Sequence, residues 1–374
     1  MTNPIVSIIE QDEDELNFKI SDVNVSIANS IRRVILSEIP IVVFRTTPYE
    51  KNNIEIITNT SRMNNELIKQ RFSCIPIHIN DLKFPMEDYI VEVNVVNDTD
   101  RMLYVTTEDF KIKNIKTNTY MNKSESKIIF PPNNITSSYI DVINLRPKIS
   151  DEIPGESINI ICKLDIGISK EDSAFNVAST CCYANTPDEI KINDEWNIKV
   201  KDLDKEMDKQ EIENLKKDWY NLDAKRIVIK DSFNFKIETV GQYDNLTIVF
   251  KSCEIMINKI QKLNDDLQSN ENLINESNNN IVNCFDITLE NEDYTLGKVI
   301  EFMLYNKYYK HPTKNPNGIL TFCSFNKHHP HDTDSIIKVA FSSNKNKLDV
   351  IQLISDVCSE SIIIYEEIAS NFKN

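Results

Sequence analysis

The chain has 374 residues, 40% of them hydrophobic, and a formal net charge of −16. That is enough for two or three domains with a sizeable core. The charge argues against a surface that grips nucleic-acid phosphates by itself, so DNA is expected to be reached only indirectly. No apolar run approaches the roughly 20 residues of a membrane span, and the polar sequence after Ile9 is not that of a secretory leader. Cys74, Cys162, Cys181, Cys182, Cys253, Cys284, Cys323 and Cys358 are scattered without a C-x-x-C pair. That pattern fits a reducing, intracellular setting with the thiols as small core residues.

In chain order, Ile5 to Ile9 reads as a strand, followed by an acidic turn and a second strand at Leu16, Phe18 and Ile20. Asn24 is placed to cap a helix whose apolar face is Ile27, Ala28, Ile31, Val34 and Ile35, and Pro40 stops it. Ile41 to Arg45 predicts a strand. Met63 to Phe72 predicts a short helix with Leu67 and Phe72 inward. Strand-like pieces follow at Tyr89–Val96, Met102–Thr106, Lys127–Phe130, Tyr139–Asn144 and Ser157–Leu164, punctuated by prolines.

Cys181 and Cys182 sit in a further strand, where neighbours point to opposite faces. The charged run 199–226, with Leu203, Met207, Leu215 and Trp219, predicts a surface helix or helix pair. Phe233 to Gly241 alternates and ends at a turn glycine. A long helix then carries Leu246, Val249, Cys253, Met256, Ile260, Leu263 and Leu267 at alternating spacings of three and four, a seam that calls for a partner helix. Val350, Ile354, Val357, Ile364 and Ile368, interrupted by Ser361, form the candidate partner. Residues 269–280 read as a flexible polar connector. His328, His329 and His331 near Cys323 are better read as a turn than as a metal site, which would repeat spaced pairs.

One design occurs twice. Ile287 and Leu289 alternate, Asp293 can cap, and a helix follows with Leu296, Val299, Ile300, Met303 and Leu304 on one face. An offset of 269 residues carries Ile20 to Leu289, Asp22 to Asn291, Asn24 to Asp293, Ile27 to Leu296, Ala28 to Gly297, Ile31 to Ile300, Val34 to Met303 and Ile35 to Leu304. Each copy has an apolar helix face that it cannot bury alone, which suggests a pseudo-two-fold pair.

The stretch NVSIANSIRRVILSEIP from Asn24 to Pro40 resembles the signature helix of the alpha-type subunits of DNA-directed RNA polymerase, relatives of the third-largest subunit of eukaryotic RNA polymerase II and of the archaeal D subunit. FDITLENEDYTLGKVIEFML from Phe285 to Leu304 resembles the opening of their smaller partner, related to the eleventh subunit and the archaeal L subunit. Tyr294 and Lys298 stand where that family commonly has His and Asn. Residues 167–175 resemble a return segment, with Asp172, Ser173, Ala174 and Phe175 in place of a His-Ala-Lys-Trp run. Both partners in one chain resemble the polymerases of nucleocytoplasmic large DNA viruses.

The resemblance implies an α+β fold: two pseudo-two-fold-related dimerisation units of sheet plus long helices in one chain, with an inserted β-rich domain. The boundaries would be 1–45 with 173–268, the insert 46–172, the linker 269–280, and the smaller-partner unit 281–374. Internal pairing would use Ile27, Ile31, Val34, Ile35, Val249, Met256, Ile260, Leu296, Val299, Ile300, Met303, Leu304, Ile354 and Val357. Arg32 and Arg33, at the family's double-arginine position, would touch a large subunit.

The implied partners are the two largest catalytic subunits, with small zinc-binding subunits as further candidates. For a viral source the setting would be host cytoplasm and virion. The insert lacks the family's zinc cysteines, so no metal, cofactor or catalytic residue is expected. Absence of a phosphate loop, nucleophile elbow or H-E-x-x-H motif agrees. A metal-dependent hydrolase with an acidic site and a stand-alone dimerising module are the alternatives.

Overall fold

The computed structural model describes residues 3–12, 14–150, 152–201, 208–278, 280–313 and 315–373. The fold is mixed α+β. In its first stretch come β1 (Ile5–Gln11), β2 (Glu15–Ser21), α1 (Val25–Ser37), β3 (Ile41–Val43), β4 (Ile54–Asn59) and α2 (Asn65–Ser73). β5 (Tyr89–Val96), β6 (Leu103–Thr106), β7 (Lys111–Asn114), β8 (Thr119–Tyr120), α3 (Lys123–Ile129), β9 (Asp141–Leu145), β10 (Ser157–Lys163) and β11 (Asp165–Gly167) follow. Then come β12 (Ala178–Pro187), α4 (Glu189–Lys201), α5 (Lys209–Asn221), β13 (Val228–Thr239) and α6 (Asn245–Ser269). The chain closes with β14 (Ile274–Glu276), β15 (Cys284–Leu289), α7 (Tyr294–Tyr308), β16 (Leu320–Asn326), β17 (Ser335–Phe341) and α8 (Lys347–Ser370).

Contacts divide the chain into two compact units. One comprises Met1–Val34, Thr180–Glu238 and Val249–Asn374; the other comprises Ile35–Ser179 and Thr239–Ile248. In the first, an antiparallel sheet runs β1-β2-β13-β12 and a second runs β14-β15-β17-β16. β2 buries Leu16, Phe18 and Ile20, as its alternation requires. β15 buries Ile287 and Leu289. α7 packs on β16 and on α8. The charged run holds only the end of α4 together with α5, and the two helices close a small core around Trp196 and Trp219, ring centroids 6.3 Å apart. Leu203 and Met207 lie outside the described residues.

The second unit holds a five-stranded sheet, β4-β10-β5-β7-β8, and two-stranded ladders β6-β9 and β3-β11. Its core contains Phe44, Phe72, Phe110 and Phe130, with Phe72 stacked on Phe110 at 5.3 Å and Phe110 edge-on to Phe130 at 5.1 Å. Arg45 is 6% exposed, and each of its three side-chain nitrogens has a partner: it donates to Asp165 (2.5 Å), Glu171 (2.8 Å) and the Ile166 carbonyl (2.6 Å). Phe175, in the return segment, is buried beneath that guanidinium.

Several local expectations are corrected. α2 turns Ile68 and Phe72 inward and leaves Leu67 54% exposed, because i and i+4 share a helix face. Residues 127–130 are not a strand. They end α3, which Asn122 and Glu125 start with a reciprocal capping box. The stretch 269–280 is more than a connector: β14 pairs with β15, and Ile274 is completely buried. Ser361 does not interrupt the α8 seam; it is buried and donates to the Val357 carbonyl at 2.8 Å.

Candidate functional site

The two strand–helix modules, α1 as far as Val34, lie in the first unit, and their entrances match in detail. Asp22 and Asn291, equivalent under the 269-residue offset, both take left-handed backbone conformations, with φ of 60° and 56°. Short polar side chains tolerate that region best among non-glycine residues. Asn24 then accepts from the Ser26 amide at 2.9 Å, and Asp293 from the Thr295 amide at 2.8 Å. Each cap satisfies one of the amides that a helix start leaves open.

The apolar faces are closed. Ile27, Ile31, Val34 and Ile35 on α1 are at most 1% exposed, as are Leu296, Val299, Ile300 and Leu304 on α7; Met303 is 7% exposed. Val249, Met256 and Ile260 on α6 and Ile354 and Val357 on α8 are buried as well. At Gly297 a Cβ would fall 2.0 Å from the Phe325 ring, so only glycine lets β16 approach this closely. Ala28 fills the equivalent place in the first module.

Polar contacts link the first module to the last third of the chain. Arg33 Nε donates to Thr295 Oγ1 at 2.8 Å, and a terminal nitrogen of Arg33 meets Asp293 Oδ2 at 2.9 Å. The carboxylate that caps α7 therefore also receives a cation from α1. Lys259 on α6 pairs with Glu292 at 3.0 Å. Ser30 gives its proton to the Ile27 carbonyl (2.7 Å), so Tyr365 is the donor in their 2.6 Å contact. Burial pushes the Tyr365 phenol up, and nearby Cys253 adds to the rise. Phe18 stacks on Phe235 at 4.9 Å and meets Phe372 edge-on at 5.0 Å.

Arg32 has a different setting. Its Nε and one terminal nitrogen both donate to Asn29 Oδ1, at 3.0 and 2.9 Å, one helical turn back. The two neighbouring arginines thus part ways, one tied to the second module and one held along its own helix. Arg33, Ser30, Tyr365 and Phe372 as linking residues were not singled out from the sequence. The only signal was a serine within the apolar stripe of α1.

Burial pushes the thiols of Cys181, Cys253, Cys323 and Cys358 up to about 12, so they are poor nucleophiles. His328, His329 and His331 are exposed in the turn between β16 and β17. Among the described residues no group of three His, Cys, Asp or Glu side chains is placed to hold a metal ion, and no helix is long and apolar enough to cross a membrane.

Comparison with known proteins agrees with this geometry. The defining pattern of the RNA polymerase Rpb3/Rpb11 dimerisation domain matches residues 17–260, more than half of the chain. DNA-directed RNA polymerases I and III subunit RPAC1 of Bos taurus is 22% identical over 304 residues, 71% of this chain and 84% of that protein. The Dictyostelium discoideum counterpart is 24% identical over 309 residues, covering 74% and 83%. Subunit Rpo3 of Thermococcus kodakarensis is 29% identical over 102 residues, 26% of this chain and 37% of the archaeal one. With the match spanning 17–260 and both strand–helix modules on the page, the chain belongs to the RNA polymerase Rpb3/Rpb11 dimerisation-domain family as an alpha-like polymerase subunit.

Proposed function

We propose that this chain is a non-catalytic assembly platform of a multisubunit DNA-directed RNA polymerase and that it does the work of two alpha-like subunits at once. The observation that carries the reading is the tie from Arg33 on α1 to Asp293 and Thr295 at the head of α7. Residues 1–45 and 173–268 act as the larger partner, 281–374 as the smaller, 46–172 as an insert, and 269–280 joins the partners. A covalent tether replaces a bimolecular encounter with an effective concentration on the order of millimolar. The buried positions named above act as the internal pairing surface.

The two largest catalytic subunits dock on this platform, with small zinc-binding subunits as further partners, and DNA is met only through the complex. The fused arrangement supports a viral polymerase working in host cytoplasm and packaged in the virion. Arg32 contacts a large subunit. The internal engagement of Arg33 makes Arg32→Ala the cleaner probe of that contact. Affinity purification of the tagged chain from its native source is the test. Two very large chains are expected to come with it, and fewer of them with Arg32→Ala. Recovery of the chain without large partners sinks the proposal.

A further inference from the structure

One cleft of the β-rich insert gathers positive charge against the sign of the whole chain. Arg62, Arg71 and Arg146 line a cleft of about 370 Å³ together with Met63, Met102, Ile143 and Glu156. The three guanidinium groups belong to exposed residues, Met102 is 47% exposed, and Ile143 is buried. The cleft therefore has a cationic rim and an apolar floor. Its one carboxylate is already taken: Glu156 accepts from Arg146 Nε at 2.6 Å and from the Arg146 backbone amide at 2.8 Å. Arg71 gives one terminal nitrogen to the Val142 carbonyl at 2.6 Å. Arg62 donates no hydrogen bond among the described residues.

Planar guanidinium forks match carboxylates in pairs, and thioethers adapt to varied apolar shapes. A nucleic acid fits less well. The cleft lining has no aromatic ring for base stacking, and a chain of net charge −16 repels a long polyanion. A short acidic segment carries few charges, and salt screens the rest of the chain beyond about 10 Å. We propose that this cleft binds an extended acidic–apolar peptide segment of a partner chain, with carboxylates on Arg62 and Arg71 and an apolar side chain over Met63, Met102 and Ile143. The inference goes beyond the platform reading and does not depend on it.

The test is fluorescence anisotropy on the full chain with a labelled peptide of alternating Glu and Leu. Its comparators are the Gln–Leu and Glu–Ser versions and a single-stranded oligonucleotide of equal charge. The Glu–Leu peptide is expected to bind in a salt-sensitive way, and each altered peptide to lose about tenfold or more. Arg62→Ala with Arg71→Ala should cost a similar factor with an unchanged circular dichroism spectrum. Arg62→Ala alone, which breaks no hydrogen bond among the described residues, should weaken binding more than Arg62→Lys does. The proposal is overturned if the Gln–Leu or Glu–Ser peptide binds as well, if the arginine variants bind normally, or if the oligonucleotide binds as tightly.

Discussion

Tyr365 on α8 donates a 2.6 Å hydrogen bond to Ser30 on α1, and both residues are at most 1% exposed. The bond crosses 335 residues of sequence and sits among apolar side chains, where an unpaired hydroxyl is costly. Ser30→Ala leaves the tyrosine hydroxyl without its acceptor and is expected to cost about 1–3 kcal/mol. Tyr365→Phe leaves Ser30 still bonded to the Ile27 carbonyl and should cost less. Urea denaturation of both variants and the double variant measures the coupling, and additive losses would contradict it.

Asp293 holds two partners at once, the Thr295 amide and the Arg33 guanidinium. Asp293→Ala removes a helix cap and an ion pair together. Arg33→Ala removes the pair and the bond to Thr295 but leaves the cap in place. Partly exposed pairs contribute about 0–1 kcal/mol and a cap about 1 kcal/mol. The aspartate variant should therefore be the less stable by thermal denaturation, and the reverse order would refute this division of roles.

Gly297 lies under the Phe325 ring. Alanine in a helix is ordinarily worth about 1 kcal/mol over glycine. Here the added methyl has to displace an aromatic ring, and overpacking of that kind costs typically 1–3 kcal/mol. Gly297→Ala is predicted to destabilise, and Phe325→Leu in the same chain to recover part of the loss. A stabilised single variant, read by melting temperature, would show that the ring moves freely.

His78 supplies a pH dependence. Burial lowers its pKa below the ordinary 6.5, while a hydrogen bond with the Ile129 carbonyl opposes the shift. The unfolded chain then takes up the proton first as pH falls. The neutral-imidazole contribution is fully present above about pH 6.5 and is lost as pH drops towards the folded value. Other carboxylates titrate lower down, so the reading is a difference. The gap in urea midpoint between the wild type and His78→Gln should change below pH 6.5 and stay flat above it.

What could be seen in the sequence was what is local. Asn24 and Asp293 cap amides two residues ahead, and the apolar face of α1 repeats every three or four residues, so short-range pattern suffices. The α3 segment misled because its apolar end looks like a strand, while the capping box that starts the helix lies several residues earlier. β14 is a polar stretch that becomes a strand only because β15 offers it a ladder. Arg33 and its acidic partner are 260 residues apart, and nothing near Arg33 announces that contact. Ser361 reads as a break only when the carbonyl one turn earlier is left out of account.

Translation of a single message delivers both strand–helix modules in strict parity. Neither half waits in solution with its isoleucine face bare, and no surplus of one accumulates for proteases to clear. Under the proposed platform role, the supply of starting points is set by the abundance of one polypeptide rather than by the scarcer of two.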